Sequence, residues 1–140
     1  MVNIEERLPS APDYNRLRAA VGWGTYSEDI IERALTASLY GVCAVSGDEV
    51  VGMARVIGDS GLVYYLQDVI VLPEYQRQGI GTKMMDHLMD YIHSNTSHNS
   101  IVGLMAAKGS ETFYQGYGFT PRPNERLGCG MTMFIKSKSR

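Results

Sequence analysis

Between Val69 and Thr82 an apolar stretch, Val69-Ile70-Val71-Leu72, passes through Pro73 to Gln78 and then two closely spaced glycines, Gly79 and Gly81, directly into an amphipathic helical pattern. This strand-turn-helix constrains the fold more than any other segment. Gly79 and Gly81 carry no Cβ to hold a ligand away from the backbone, and the first turn of a helix leaves several N–H groups without intrahelical acceptors. Those donors and the positive end of the helix dipole suit a phosphate or pyrophosphate.

The rest of the chain reads in alternating periods. Pro12-Asp13 opens a helical pattern with Tyr14, Leu17, Ala20 and Val21 on one side, ended by Gly22-Trp23-Gly24. Ser27 is the expected N-cap of a second helix carrying Ile30, Ile31, Ala34 and Leu35. From Gly41 the period becomes strand-like: Val42 to Ser46, a turn at Gly47-Asp48 and Val50 to Ile57 form a hairpin, and a turn at Gly58 to Gly61 leads to a third strand over Leu62 to Leu72. After the glycine turn, Ile80, Met84, Met85, Leu88, Met89 and Ile92 make a helical stripe, and the methionines on it are read as core packing. A short buried strand over Ile101 to Met105, a brief helix over Ser110 to Tyr117, a last strand near Met131 to Ile135 and a frayed tail from Lys136 to Arg140 complete the expectation. The predicted order is α-α-β-β-β-α-β-α-β, an α/β chain with a mixed sheet, and the strand-helix-strand portion is a right-handed crossover joining parallel strands.

At 140 residues, with no linker or internal repeat, the chain is expected to form a single domain over 1–140. A formal net charge of −2 offers no general attraction to nucleic acid or an anionic membrane, so an anionic ligand must be held by local geometry. Cys43, in an apolar run, is expected in the core, and Cys129 in the core or a site wall; neither has the spacing of a zinc site. His87, His93 and His98 do not share a face and are read as surface or loop residues, so no metal is expected. No signal-peptide pattern or membrane-length apolar run is read, and a cytoplasmic location is expected.

Three glycine-rich classes compete for the junction. A P-loop needs G-x-x-x-x-G-K-[ST], but no glycine stands at the upstream position and Thr82 precedes Lys83. A dinucleotide fingerprint needs G-x-G-x-x-G, and Met84 occupies its last position. Gln76-Arg77-Gln78-Gly79-Ile80-Gly81 instead resembles the acyl-CoA signature of the GNAT superfamily of N-acyltransferases, [Q/R]-x-x-G-x-[G/A]. Gln67 to Pro73 resembles the family's fourth strand, and Phe113 to Phe119 its second signature, a Tyr ahead of a Gly-Phe pair. The likeness covers nearly the whole chain and includes the order of elements.

The resemblance implies roles for individual residues. Backbone N–H groups from Arg77 to Thr82, with Gln76, Gln78, Gly79, Ile80 and Gly81 in that loop, would cradle the pyrophosphate of acetyl-CoA. The main chain of Val69, Ile70 and Val71 would pair with the pantetheine arm, and the Val69 N–H would polarise the thioester carbonyl. That pairing needs the central strand to splay from its parallel neighbour. Tyr114 matches the family's general acid, which protonates the departing thiolate; a phenol with an ordinary pKa of about 10 carries its proton at neutral pH. Read as residues alone, Tyr114 packs or acts as the acid. Many family members carry an Asn seven residues before that Tyr, where this chain has Ala107, which would weaken one contact to the cofactor and leave the pyrophosphate cradle untouched.

An alkylammonium must lose a proton before attack, and no base stands out. Strand alternation puts Tyr65 and Gln67 on one face, toward the acceptor according to the resemblance, and Asp68 on the other, as a water-chain anchor or a bridge to Arg55. Deprotonation through ordered water is the default. Trp23 walls the acceptor pocket or anchors the helical hairpin. Asp59, Glu49 and Glu28 near loops would suit a cationic amine or be plain surface charge. The expected activity is N-acetyl transfer from acetyl-CoA to a primary amine in a ternary complex, with no acyl-enzyme. A non-catalytic acyl-CoA binding or sensing module is the alternative. Expected partners are a small-molecule amine, a protein lysine or an N-terminus, and a homodimer is also open.

Overall fold

A computed structural model describes residues 1–136 of the chain. They fall into two compact units, Met1–Leu104 and Met105–Arg140, the second described as far as Lys136.

The first unit is a five-stranded sheet with helices on both faces. Its elements are β1 (Val2–Glu5), α1 (Ala11–Ala20), α2 (Glu28–Thr36), β2 (Tyr40–Ser46), β3 (Glu49–Gly58), β4 (Val63–Val71), a 3-10 turn at Pro73–Tyr75, α3 (Ile80–Asn95) and β5 (Ile101–Gly103). The strands lie in sequence order, antiparallel from β1 to β4, and β5 joins β4 in parallel through the α3 crossover. The expected hairpin is β2–β3, with Gly47 supplying a positive φ of 61° at its turn. At the next turn Asp59 Oδ1 accepts from the N–H groups of Gly61, Leu62 and Val63, which fixes where β4 begins. Those backbone donors hold the Asp59 carboxyl below its usual pKa.

Ser27 stands at the N-cap of α2 as expected but makes no side-chain cap hydrogen bond, and Ala20 and Ala34, expected on the inner stripes, are exposed. Ser10 Oγ accepts from Asp13 N at 3.2 Å at the start of α1, which turns Tyr14 and Leu17 inward. Ile31 and Leu35 of α2 are buried, but Ile30, expected on the same side, is exposed. Ile80, Met84, Met85, Leu88 and Ile92 of α3 are buried, so two of the three methionines read as core are there, while Met89 is only half-buried. α1 packs on β3 and β4, α3 on β2 and β3. Cys43 lies fully in the core, where burial pushes its thiol up to about 11.

Four expectations are corrected. The amino-terminal strand β1 was not read from the sequence: it is four residues long and pairs only with β2, too short for a period to register. β5 is shorter than Ile101 to Met105 and is not buried; as the last strand in the order, it leaves Ile101 65% exposed. The second unit contains α4 (Glu111–Gln115), but no strand forms over Met131 to Ile135, because nothing in the described chain pairs with that segment. Cys129 is exposed, which removes the core from the two places, core or site wall, expected for it. Of the tail read as frayed, residues 137–140 lie outside the described residues.

Candidate acyl-CoA site and its surroundings

β4 does not run regularly. Met53 is opposite Ile70 and Arg55 is opposite Gln67, so three steps along β4 match two along β3, and Asp68 and Val69 have no register partner. Asp68 sits in the left-handed region at φ 58°, as the extra residue of a bulge does. Pairing with β5 covers only Val63 to Tyr65, so past Tyr65 the strand has no parallel neighbour either. This is the splay that the family resemblance called for, and Val69 stands in the opening.

The bulge also corrects the strand alternation. Asp68 turns toward α1, onto the face that Gln67 shares with Arg55, and Gln67 Nε2 lies 3.4 Å from its Oδ1. There Asp68 is fully buried and its acceptors are taken: Oδ1 by Arg18 Nη1 at 2.8 Å, Oδ2 by Arg55 Nε at 2.9 Å and by the Tyr14 hydroxyl at 2.6 Å. Burial, and then the hydrogen bond to Asp68, push the Tyr14 phenol up to about 12. Arg55 also donates to Ser38 Oγ. A carboxylate held by two guanidinium groups and a phenol is a structural anchor with no free lone pair aimed at a substrate.

Beyond β4, Gln76 Nε2 donates to Val71 O at 2.9 Å, tying the loop to the strand end. Arg77 at φ 64° and Gly79 at φ 82° turn the chain sharply into α3. Gly79 is the N-cap, and a Cβ built there would meet nothing within 4 Å, so the space in front of the turn is open. The first turn of α3 carries no acidic residue, and Arg77 and Lys83 flank it. An open glycine turn, a helix N-terminus and two cations fit a pyrophosphate.

Tyr65 is half-buried, opposite Ile57 on one side and Gly103 on the other, and burial raises its pKa. Trp23 packs its ring over the Arg18 guanidinium at 5.3 Å, and its backbone N–H donates to Arg18 O, which favours the anchor over the pocket wall. Two of the three carboxylates considered for a cationic amine are occupied: Asp59 caps its turn and Glu49 faces Arg16 at 3.6 Å. The residues that sequence reading missed are Arg18 and the role of Tyr14. The available signal was an arginine one helical turn from Tyr14, together with an aspartate inside an apolar strand.

The second unit holds Tyr114 in α4. Its ring packs edge-on against Phe113 at 5.1 Å and Phe119 at 6.3 Å between centroids, and burial raises its phenol above the ordinary value. The tyrosine therefore keeps its proton at neutral pH, as a general acid must. Gly118, at φ 98°, lets the Phe119 N–H turn back to Tyr114 O. Both packing and proton donation remain compatible with these surroundings.

The acetyltransferase (GNAT) domain family matches residues 11–135, and the chain belongs to that family. A protein of unknown function from meticillin-resistant Staphylococcus aureus is 32% identical, with a TM-score of 0.88 over 96% of this chain and 100% of that one. A GNAT-family acetyltransferase from Streptococcus pneumoniae is 30% identical, with a TM-score of 0.77 over 99% and 100%. An uncharacterized N-acetyltransferase, ycf52-like, from Prochlorococcus marinus is 28% identical across 79% of this chain and 63% of its own length. The chain spans less than two thirds of the length of the curated relatives it matches.

Proposed function

We propose that the chain is a single-domain N-acetyltransferase, 1–140, that moves the acetyl group of acetyl-CoA to a primary amine by direct attack in a ternary complex. The observation that carries this reading is the unpartnered step in β4 at Asp68 and Val69, followed within a few residues by the open glycine turn into α3. The Val69 N–H polarises the thioester carbonyl, the backbone of Val69 to Val71 holds the pantetheine arm as an added strand, and the loop from Gln76 to Thr82 holds the pyrophosphate. The cofactor supplies the activated acetyl group. The amine nitrogen bonds to the carbonyl carbon, the C–S bond breaks, and the Tyr114 hydroxyl protonates the thiolate.

Asp68 is committed to its arginines, so the ammonium proton leaves through water, and Tyr65 and Gln67 orient the acceptor. The acceptor class comprises small amines, protein lysines and N-termini. A homodimer and a cytoplasmic location accompany the proposal; the unpaired cysteines, Cys43 and Cys129, support the second. The same commitment of Asp68 keeps one other reading in play, an acyl-CoA sensor without turnover. Release of free thiol from acetyl-CoA across an amine panel tests the two: amine-dependent release supports the enzyme, and tight CoA binding with no release from any amine supports the sensor.

A further inference from the structure

Asp68 combines two unfavourable features at one position. It holds a non-glycine backbone in the left-handed region, at φ 58°, and it buries a carboxylate among protein groups. Neither is a favourable way to stabilise a sheet: left-handed backbone strains a residue with a Cβ, and a buried ion pair rarely outdoes apolar packing of the same volume. Backbone strain of this kind gathers at functional sites and persists where the surroundings over-determine it. The surroundings of Asp68 do so.

Both guanidinium groups that hold the carboxylate are themselves held from behind. Arg18 Nε donates to Gly24 O at 2.6 Å, and Arg55 Nη1 donates to Ser38 Oγ at 2.9 Å, whose hydroxyl donates in turn to Ala34 O. The seat of Asp68 is thus fixed at once to α1, the loop after it, the end of α2 and β3, all within Met1–Leu104. The next residue along the chain is Val69. Its N–H belongs to the planar Asp68–Val69 peptide, so the direction it points follows from the conformation at Asp68. In a regular strand a ladder partner would set that direction, but Val69 has no register partner in β3 or β5. What remains to aim the N–H is the seat of the Asp68 side chain.

We propose, on the basis of the acetyltransferase reading above, that Asp68 is a positioning residue: clamped by Arg18, Arg55 and Tyr14, it aims the Val69 N–H at the thioester carbonyl. It touches neither substrate nor cofactor. An oxyanion donor works when it is already directed at the place where charge develops, so a donor on an unpaired step of a strand needs a hold from outside the ladder. A carboxylate between two fixed cations supplies a stiffer hold than a neutral side chain, because charge-assisted hydrogen bonds are shorter and stronger.

Asp68→Asn tests the clamp, since asparagine tolerates left-handed backbone and keeps the size of the side chain while removing its charge. The expected result is a kcat lowered at least roughly tenfold with an accepted amine, and a KM for acetyl-CoA nearly unchanged. Leu35→Ala, which weakens the core under α2 without touching the bulge, is the control and leaves kcat unchanged. The Val69 amide resonance supplies a readout that needs no turnover: in the unaltered chain it responds differently to acetyl-CoA and to CoA, and Asp68→Asn loses most of that difference. Tyr14→Phe removes one hydrogen bond to Oδ2 and keeps the ring, so it shows both effects at smaller size and carries the test should Asp68→Asn fail to fold. If no amine is turned over, the amide readout alone decides. An unchanged kcat in the folded variants, a fall matched by Leu35→Ala, or an undiminished amide difference overturns the positioning role and leaves the acetyltransferase reading standing. Identical responses of the Val69 amide to acetyl-CoA and CoA in the unaltered chain overturn the role of Val69 in that reading and the positioning role together.

Discussion

Arg18 Nη1 stands 2.8 Å from Asp68 Oδ1, and the pair joins the last turn of α1 to the bulge of β4. The guanidinium also lies within 6 Å of the rings of Tyr14, Trp23 and Tyr26, so its cation is enclosed as well as paired. With Arg55 on the other oxygen, the carboxylate fixes the one residue of β4 that leaves extended geometry. A left-handed aspartate costs about 1–3 kcal/mol and persists only where its surroundings hold it.

Asp68→Ala leaves two buried guanidinium groups without their carboxylate. The expected loss is about 3–5 kcal/mol of unfolding free energy, the usual consequence of removing one partner from a buried ion pair. Urea unfolding followed by tryptophan fluorescence measures it, since Trp23 is the only tryptophan. A loss below about 1 kcal/mol would place the anchor elsewhere.

Alkaline pH should loosen the same knot. The folded pKa of Tyr14, about 12, lies above the unfolded value near 10. Its contribution to stability is therefore complete below pH about 10 and is lost as pH rises through about 12. Tyr40, also pushed up to about 12, adds to the slope. Tyr14→Phe should flatten the fall without abolishing it, as read from urea midpoints across that interval; an unchanged slope would remove Tyr14 from the titration.

Gly79→Val forces a β-branched residue to φ 82° and puts its side chain into open space before α3. The strain is about 1–2 kcal/mol, and CoA affinity measured by calorimetry should fall at least tenfold. Because a Cβ at that position meets nothing within 4 Å beyond its immediate chain neighbours, a loss of binding points to the space before α3 and to the backbone strain. Undiminished affinity would sink the cradle.

Tyr114→Phe keeps the ring contacts with Phe113 and Phe119 and removes only the hydroxyl. The expected outcome is a kcat lowered by roughly ten- to a thousandfold, with the KM for acetyl-CoA nearly unchanged. Steady-state kinetics with any amine accepted by the chain decides it. Full activity would leave Tyr114 as a packing residue.

Periodicity and glycine spacing made the framework legible. The stripe from Ile80 to Ile92 gave α3, Gly47-Asp48 gave the β2–β3 hairpin, and the hexamer from Gln76 to Gly81 pointed to the family that matches residues 11–135. The bulge was hidden because an extra residue leaves no mark in a run such as Gln67-Asp68-Val69, so alternation sent Asp68 to the wrong face. Arg18 was hidden because its partner lies 50 residues away, and pairing across that distance has no local pattern. β1 was too short to show a period. The segment at Met131 had the pattern of a strand, but pattern reports only what a segment can pair with, and no pairing occurs within the described chain.

The displaced residue at 68 changes what the numbering of β4 means. Before it, odd positions such as Gln67 look toward α1; after it, Ile70, opposite Met53, takes that side, and Val71, opposite Gly52, looks toward Met84 of α3. The strand has undergone a frame shift in space. Deleting one residue there would restore an unbroken alternation and a fuller ladder with β3. In this sheet, unbroken alternation and the seating of Asp68 beside Arg18 and Arg55 exclude one another, and the chain gives up the first.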